Sequence, residues 1–307
     1  MAGTFARHPR PQRSWIHRDT RTAWKFLSVP LLLYVVFIAA PLVATCILGL
    51  FSWDTFAPPA FVGLGNFAAM VKDPQVAAAY VNTLIFTIVS VVLHIAVAVA
   101  LAVATEAVTS KFIKSVVRTV YFFPLFVSSA AAAMIWLYML NPDMGFLNFY
   151  LHKMGFSPPN WLLRNETALG TLQIFDLWRT VGFQYVVVLA GLQGIPRTPY
   201  EAAEVDGVGA WGQFWHVTVP MLSPTLLFLS VFTAAGSFQI FDPMYIMTHG
   251  GPGDSTLSLV QILYSSSFKE FRLGYGCAIA VLVAATLGVL AAIQFRIGKR
   301  SVTYERI

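Results

Sequence analysis

Apolar residues fall in long runs broken by short polar segments. No Asp, Glu, Lys or Arg occurs between Phe26 and Trp53, and the same holds for 74–105, 119–142, 207–241 and 273–295. About 20 mostly apolar residues cross the hydrocarbon core of a bilayer as a helix, so each run predicts a span. A sixth run, about 168 to 194, is as long but holds Asp176 and Arg179. The pattern predicts an all-α integral membrane protein with six transmembrane helices. Pro30 and Pro41 are tolerated in the first span at the expense of kinks. The Ala- and Val-rich second span and "SSAAAAM" (Ser128 to Met134) in the third suit close helix packing.

The polar segments are of several kinds. "FAPPAFVGLGNF" (Phe56 to Phe67) and "NPDMGFLNFYLHKMGFSPPNW" (Asn141 to Trp161) are turn-rich and aromatic, and the second predicts an ordered surface cap. "EAAEVDGVGAWGQFWHVTVP" (Glu201 to Pro220) is different: acids and glycines precede a Trp/Phe/Trp cluster. Thr198 stands three residues before Glu201, the capping-box spacing, with Pro199 at the first helical position. A helix of barely two turns is expected to end at Gly207. A second, from about Ala210, would put Trp211, Phe214 and Trp215 on one face, with Pro220 opening span five. Periodicity leaves two readings open: an amphipathic loop at the membrane surface, or a knob that docks on a partner.

Composition agrees with the runs. Of 307 residues 57% are hydrophobic and 11% charged, and mean hydropathy is +0.68, outside the range of soluble domains. Basic residues gather before span one (Arg7, Arg10, Arg13, Arg18, Arg21, Lys25), between spans two and three (Lys111, Lys114, Arg118) and after span six (Arg296, Lys299, Arg300, Arg306). The positive-inside rule then puts both termini and the Glu201 segment in the cytoplasm. It also accounts for the net charge of +6 without nucleic-acid binding. The first run is too long for the apolar core of a signal peptide. Cys46 and Cys277 each lie alone in an apolar run. The partition is a basic cytoplasmic arm (1–25, flexible or lying on anionic headgroups), a membrane domain (26–295, with the loop at 196–219) and a cytoplasmic tail (296–307).

Candidate chemistry is sparse. The chain has no G-x-x-x-x-G-K-[ST] phosphate loop and no His/Cys/Asp/Glu cluster at metal-ligand spacing, so an enzyme is not expected. Polar residues at membrane depth are candidates by default. Asp176 and Arg179, at i and i+3, form either part of a substrate path or a self-neutralising pair. Trp178 either stacks on a sugar ring or anchors at the interface. His94 reads as a packing histidine.

Glu201-Ala202-Ala203, with Gly207 four residues after the second alanine and then Pro220, resembles the EAA loop of bacterial ABC importer permeases. The group similar to the larger permease subunit of the maltose transporter is nearest. "FVGLGNF" (Phe61 to Phe67), "IWLYMLNPDMGFLN" (Ile135 to Asn148), "GLQGIPRTPYEAAEVDG" (Gly191 to Gly207) and "MTHGGPGDSTLSLVQILYSSSF" (Met247 to Phe268) look like the same family. Val208, His216, Val217 and Val219 depart conservatively from its pattern. The resemblance implies a type I ABC importer permease fold whose coupling helix, carrying Glu201, Ala202, Ala203, Asp206 and Gly207, sits in a groove of a separate ATPase. It implies a sugar site near Gly182 and Tyr185 of "GFQY" and near Thr233, Ser237 and Gln239, with Ser237 where the family has Asn. The implied partners are a second permease, two copies of an ABC ATPase that bind the ATP and Mg, an extracytoplasmic solute-binding protein, membrane lipid and a carbohydrate. The chain itself carries no cofactor, and the location is a bacterial inner membrane. The alternatives are glycerol-3-phosphate or a glycerophosphodiester as cargo, a stand-alone secondary transporter, and a structural scaffold.

Overall fold

Neither proline nor glycine occurs from Ser14 to Val29, and the first helix, α1 (Ser14–Tyr34), occupies that stretch. The computed structural model describes residues 14–54 and 56–301. Of the expected flexible arm, residues 1–13 lie outside the described part and the rest is helical. The same holds for the tail, where 302–307 lie outside. Through a wider π turn at Val35–Ala39, α1 runs on into α2 (Ala40–Leu48). The outward side chains of this first span are bare, with Phe26 at 78% and Phe37 at 71% exposure, as apolar residues facing lipid or a partner are. A two-residue hairpin follows, β1 (Phe51–Ser52) against β2 (Ala60–Phe61), with Phe51 opposite Phe61. Asn66 at the start of α3 (Gly65–Lys72) donates to the carbonyls of Gly49 and Phe51 at 2.9 Å each and pins it.

The centre of the bundle is α4 (Pro74–Ala107). Asp73 caps it by accepting from Gln75 N at 2.9 Å, and Pro74 fits the first turn, where no amide hydrogen is needed. Its fully buried Ala98 and Ala102 let α8 (Asn165–Gln193) and α11 (Val219–Phe238) approach closely. Between them run α5 (Lys111–Phe122) and α6 (Ser129–Met139). The third run was expected to be one span. Its two halves meet instead at 100°, because Pro124 sits in a 3₁₀ turn and Val127 is extended. The segment from Asn141 to Trp161 is ordered, as expected: α7 (Phe146–Lys153) carries Asn148, which is bonded to Trp161 Nε1 at 2.8 Å and Asn141 O at 2.9 Å.

The loop at 196–219 holds α9 (Thr198–Val205) and α10 (Ala210–Gln213), and α12 (Leu259–Tyr264) precedes the last helix, α13 (Leu273–Ser301). Two local expectations change here. Arg197, not Thr198, is the N-cap of α9 and no side chain caps it. Span five does not start afresh at Pro220, because α10 passes through a π turn, Phe214–Thr218, into α11 as one helical run. The wider turn accommodates a proline in a place that otherwise breaks a helix.

Among the described residues, Thr22–Leu48, Pro74–Ala107, Ala210–Phe238 and Leu273–Lys299 are long and apolar enough to cross a membrane, and the bent α5–α6 pair makes a fifth if counted as one span. The 29 residues of α8 reach about 44 Å, ample for a bilayer, but its charges set it apart from the apolar set. The chain is a helical, multi-pass membrane protein.

Candidate functional site

Besides their apolar packing, α4 and α8 are joined by polar bonds. Gln173 on α8 accepts from Ser90 Oγ at 2.9 Å and donates to Phe86 O at 2.7 Å. One turn on, His94 Nδ1 lies 2.7 Å from Ser90 O and its Nε2 lies 2.9 Å from Thr180 Oγ1 and 3.5 Å from Asp176 Oδ2. Further along, the Tyr185 hydroxyl donates to Thr105 Oγ1 at 3.0 Å. In a low-dielectric surrounding, buried polar groups need such partners. His94 is fully buried with both ring nitrogens partnered, as a satisfied packing histidine is.

On the α11 side of α8 opens a cavity of about 410 Å³, into whose wall Asp176, Arg179, Thr180, Gln184, Thr233, Gly236, Ser237, Gln239 and Asp242 are built. Of the candidate path residues it gathers Asp176, Arg179, Thr233, Ser237 and Gln239. The Asp176–Arg179 pair is loose, at 3.9 Å between Oδ1 and the guanidinium, beyond hydrogen-bond range. Arg179 Nε and Gln184 Oε1 are buried with no partner among the described residues, although Gln184 Nε2 donates to Thr233 Oγ1 at 3.3 Å.

Trp178, Gly182 and Tyr185 do not line this cavity. At about 100° per residue, Thr180 and Gln184 fall within about 80° of Asp176, whereas Trp178, Gly182 and Tyr185 fall roughly 180° to 240° round the helix. Trp178 packs on Trp136 and Phe175, with ring centres 5.5 and 6.2 Å away. Tyr185 is fully buried beside Tyr121. Gly182 faces the α5 backbone, where a Cβ would lie 2.8 Å from Phe122 Cα. The residues the sequence reading passed over, Thr180 and Gln184, follow Asp176 at i+4 and i+8, and that spacing was the available signal.

The second candidate region is the loop. Every residue of α9 is at least partly exposed, Val205 at 88%. Its end is a Schellman closure: Val208 N donates to Ala203 O at 2.9 Å and Gly207 N to Glu204 O at 3.0 Å, with Gly207 at φ 73°. Glu201, Ala202, Asp206 and Gly207 are all exposed, and Ala203 is half-buried. Trp211, Phe214 and Trp215 cluster with ring centres 5.1–6.0 Å apart. The Tyr200 hydroxyl, 2.9 Å from Thr218 Oγ1, ties α9 to the base of span five.

Beside α12 lies a separate cavity of similar volume, lined by Asp73, Gln261, Lys269 and Tyr275 among others. A hydrogen bond to Tyr245 holds the Lys269 ammonium above the ordinary lysine pKa, against the smaller opposing effect of desolvation.

Apolar helices around a polar cavity, with one of its walls continuous with an exposed loop, define a membrane transport protein. The pattern of the binding-protein-dependent transport system inner membrane component family matches residues 94–303. The chain is 32% identical over 274 residues to the probable ABC transporter permease protein YurN of Bacillus subtilis (strain 168), covering 88% of this chain and 94% of the relative. It is 31% identical to the sulfoquinovosyl glycerol transport system permease protein SmoG of Agrobacterium fabrum (92% of each chain). To the sn-glycerol-3-phosphate transport system permease protein UgpA of Brucella suis it is 33% identical (80% of this chain, 83% of the relative). A bacterial ABC transporter involved in the import of the acidic polysaccharide alginate has the same fold, with a TM-score of 0.80 at 21% identity over 95% of this chain and 100% of that one. The chain therefore belongs to the binding-protein-dependent transport system inner membrane component family. It is a permease subunit of an ABC importer, a class in which ATP hydrolysis is the work of a separate subunit.

Proposed function

We propose that the chain forms half of the translocation path of a carbohydrate importer. In this reading α8 is the sixth span, beside the four apolar runs and the bent α5–α6 pair. Both termini and the loop at 196–219 face the cytoplasm, as the Lys and Arg distribution supports. Residues 26–295 are the permease domain, and 1–25 and 296–307 its basic flanks. Helix α9 is the coupling helix: Glu201 and Asp206 meet basic groups on an ABC ATPase, and Ala202 and Ala203 allow close approach. Two copies of that ATPase bind the ATP and Mg, a second permease closes the path, and an extracytoplasmic solute-binding protein delivers cargo.

The observation that carries the cargo class is the cavity wall. Thr180, Gln184, Thr233, Ser237 and Gln239 offer hydroxyls and amides, groups that between them donate to and accept from the hydroxyls of a polyol. Relatives named for sulfoquinovosyl glycerol, arabinooligosaccharides and lactose support the class. A second reading, glycerol-3-phosphate or a glycerophosphodiester, draws on Arg179 and on the UgpA relatives. Titrating the cognate binding protein with lactose and with sn-glycerol-3-phosphate separates them: uncharged-sugar binding supports the first reading, and binding of the phosphoester alone overturns it.

Gly236 tests the cavity itself. A Cβ there has nothing within 4 Å, so Gly236→Leu is expected to fold and assemble normally while filling the path. ATP-dependent uptake by proteoliposomes should drop about tenfold or more, on the scale of a lost or obstructed bound group. Unchanged uptake would remove the cavity from the path.

A further inference from the structure

Arg179 and Asp176 stand at i and i+3 on α8, a spacing at which a free carboxylate and guanidinium close into a bonded pair about 2.7–2.9 Å apart. Here they remain 3.9 Å apart, and Arg179 Nε is buried with no partner among the described residues. The other carboxylate oxygen explains the gap, since Asp176 Oδ2 is turned towards α4, 3.5 Å from His94 Nε2. The His94 ring is fixed from behind. Its Nδ1 lies 2.7 Å from Ser90 O, a carbonyl that only accepts, so Nδ1 carries the hydrogen. Nε2 lies 2.9 Å from Thr180 Oγ1, whose own hydrogen goes to Asp176 O at 2.8 Å, so Nε2 carries a hydrogen as well, on the side that faces the Asp176 carboxylate. His94 is completely buried and is not part of the cavity wall, whereas Asp176 and Arg179 are. Helix α11, the other wall, carries no titratable side chain in Val219–Phe238. The remaining charged group lining the cavity is Asp242.

We propose that His94 is a positioning residue, which holds the Asp176 carboxylate towards α4 and so leaves the Arg179 guanidinium open to the cavity. An open guanidinium donates to an oxygen of whatever occupies the cavity. That last role rests on the cavity being the cargo path, while the positioning does not.

The test reads Arg179 directly. The assembled importer in proteoliposomes is treated with phenylglyoxal, which modifies accessible guanidinium groups, and modification of Arg179 is followed by mass spectrometry. In His94→Ala, Asp176 is free to close on Arg179, and modification is expected to slow about five-fold or more. In the double variant His94→Ala/Asp176→Asn the rate should return to that of the unsubstituted chain. A residue with a merely structural role, once removed, loosens the α4–α8 contact and speeds modification. Equal or faster modification in His94→Ala, or no recovery in the double variant, overturns the proposal. If His94→Ala does not accumulate, His94→Leu refills the volume without either nitrogen and carries the same expectation. Uptake measured in parallel separates the two readings. Slower modification with undiminished uptake upholds the positioning and sinks the assignment of the cavity to the cargo path.

Discussion

Gly207→Val will leave the permease in the membrane and cost it most of its uptake. Gly207 has φ 73°, a region in which a Cβ adds about 1–2 kcal/mol and a β-branched residue is an outlier. That energy corresponds to a factor of about 5–30 in the ratio of the native to the altered loop. The penalty is purely conformational, because a Cβ at Gly207 meets nothing within 4 Å. Folding of the membrane bundle is therefore spared, and what changes is the exposed end of α9, where Val208 and Gly207 close back on Ala203 and Glu204. Uptake by proteoliposomes is expected to fall by up to that factor while ATP hydrolysis by the assembled importer continues. A graded series strengthens the test. Asn tolerates left-handed backbone better than Ala, and Ala better than Val, so uptake should rank Gly, Asn, Ala, Val. Full uptake by the Val variant would detach this loop from coupling.

Gly182→Leu is expected to fail one step earlier, in assembly. The missing side chain at Gly182 is the contact itself. A Cβ would fall against the Tyr121 carbonyl oxygen well inside contact distance and lie 2.8 Å from Phe122 Cα. Both are backbone atoms that cannot rotate away. Overpacking in ordinary cores costs about 1–3 kcal/mol, and the upper end or beyond applies here, a large share of the marginal stability of a domain. Immunoblots of the membrane fraction should show the Leu variant nearly lost and Gly182→Ala reduced. Normal accumulation of Gly182→Ala with uptake abolished would mean instead that the glycine faces cargo.

The contrast between these two glycines bears on what the sequence could reveal. Gly207 follows a short acid-bearing helix, and its stop signal is local, so it was legible. Gly182 is governed by a neighbour some sixty positions away in the chain, and only the folded bundle brings α5 against it. The same division runs through the helices. Uncharged runs announce apolar spans directly. The break at Pro124 was hidden because membrane helices also carry unbroken prolines, and the continuity through Pro220 was hidden because a π turn leaves no sequence mark. Arg197 displaced Thr198 as N-cap for want of any side-chain bond to favour the threonine. In the site, Asp176 and Arg179 stood out as charges in an apolar run. Thr180 and Gln184 are common residues, and their spacing from Asp176 gains meaning once the cavity face of α8 is known. His94 looked alone because its partners, Thr180 and Asp176, lie on another helix.

The unbroken passage from Ala210 to Phe238 has a mechanical meaning. One end is tied to α9 through Tyr200 and Thr218, and the other carries Thr233 and Ser237. Between Thr218 and Ser237 lie roughly 28 Å of helix at 1.5 Å per residue. In the proposed coupling, one continuous helical run therefore joins the loop to the cavity, and the distance a movement of α9 has to travel is set by the length of that helix.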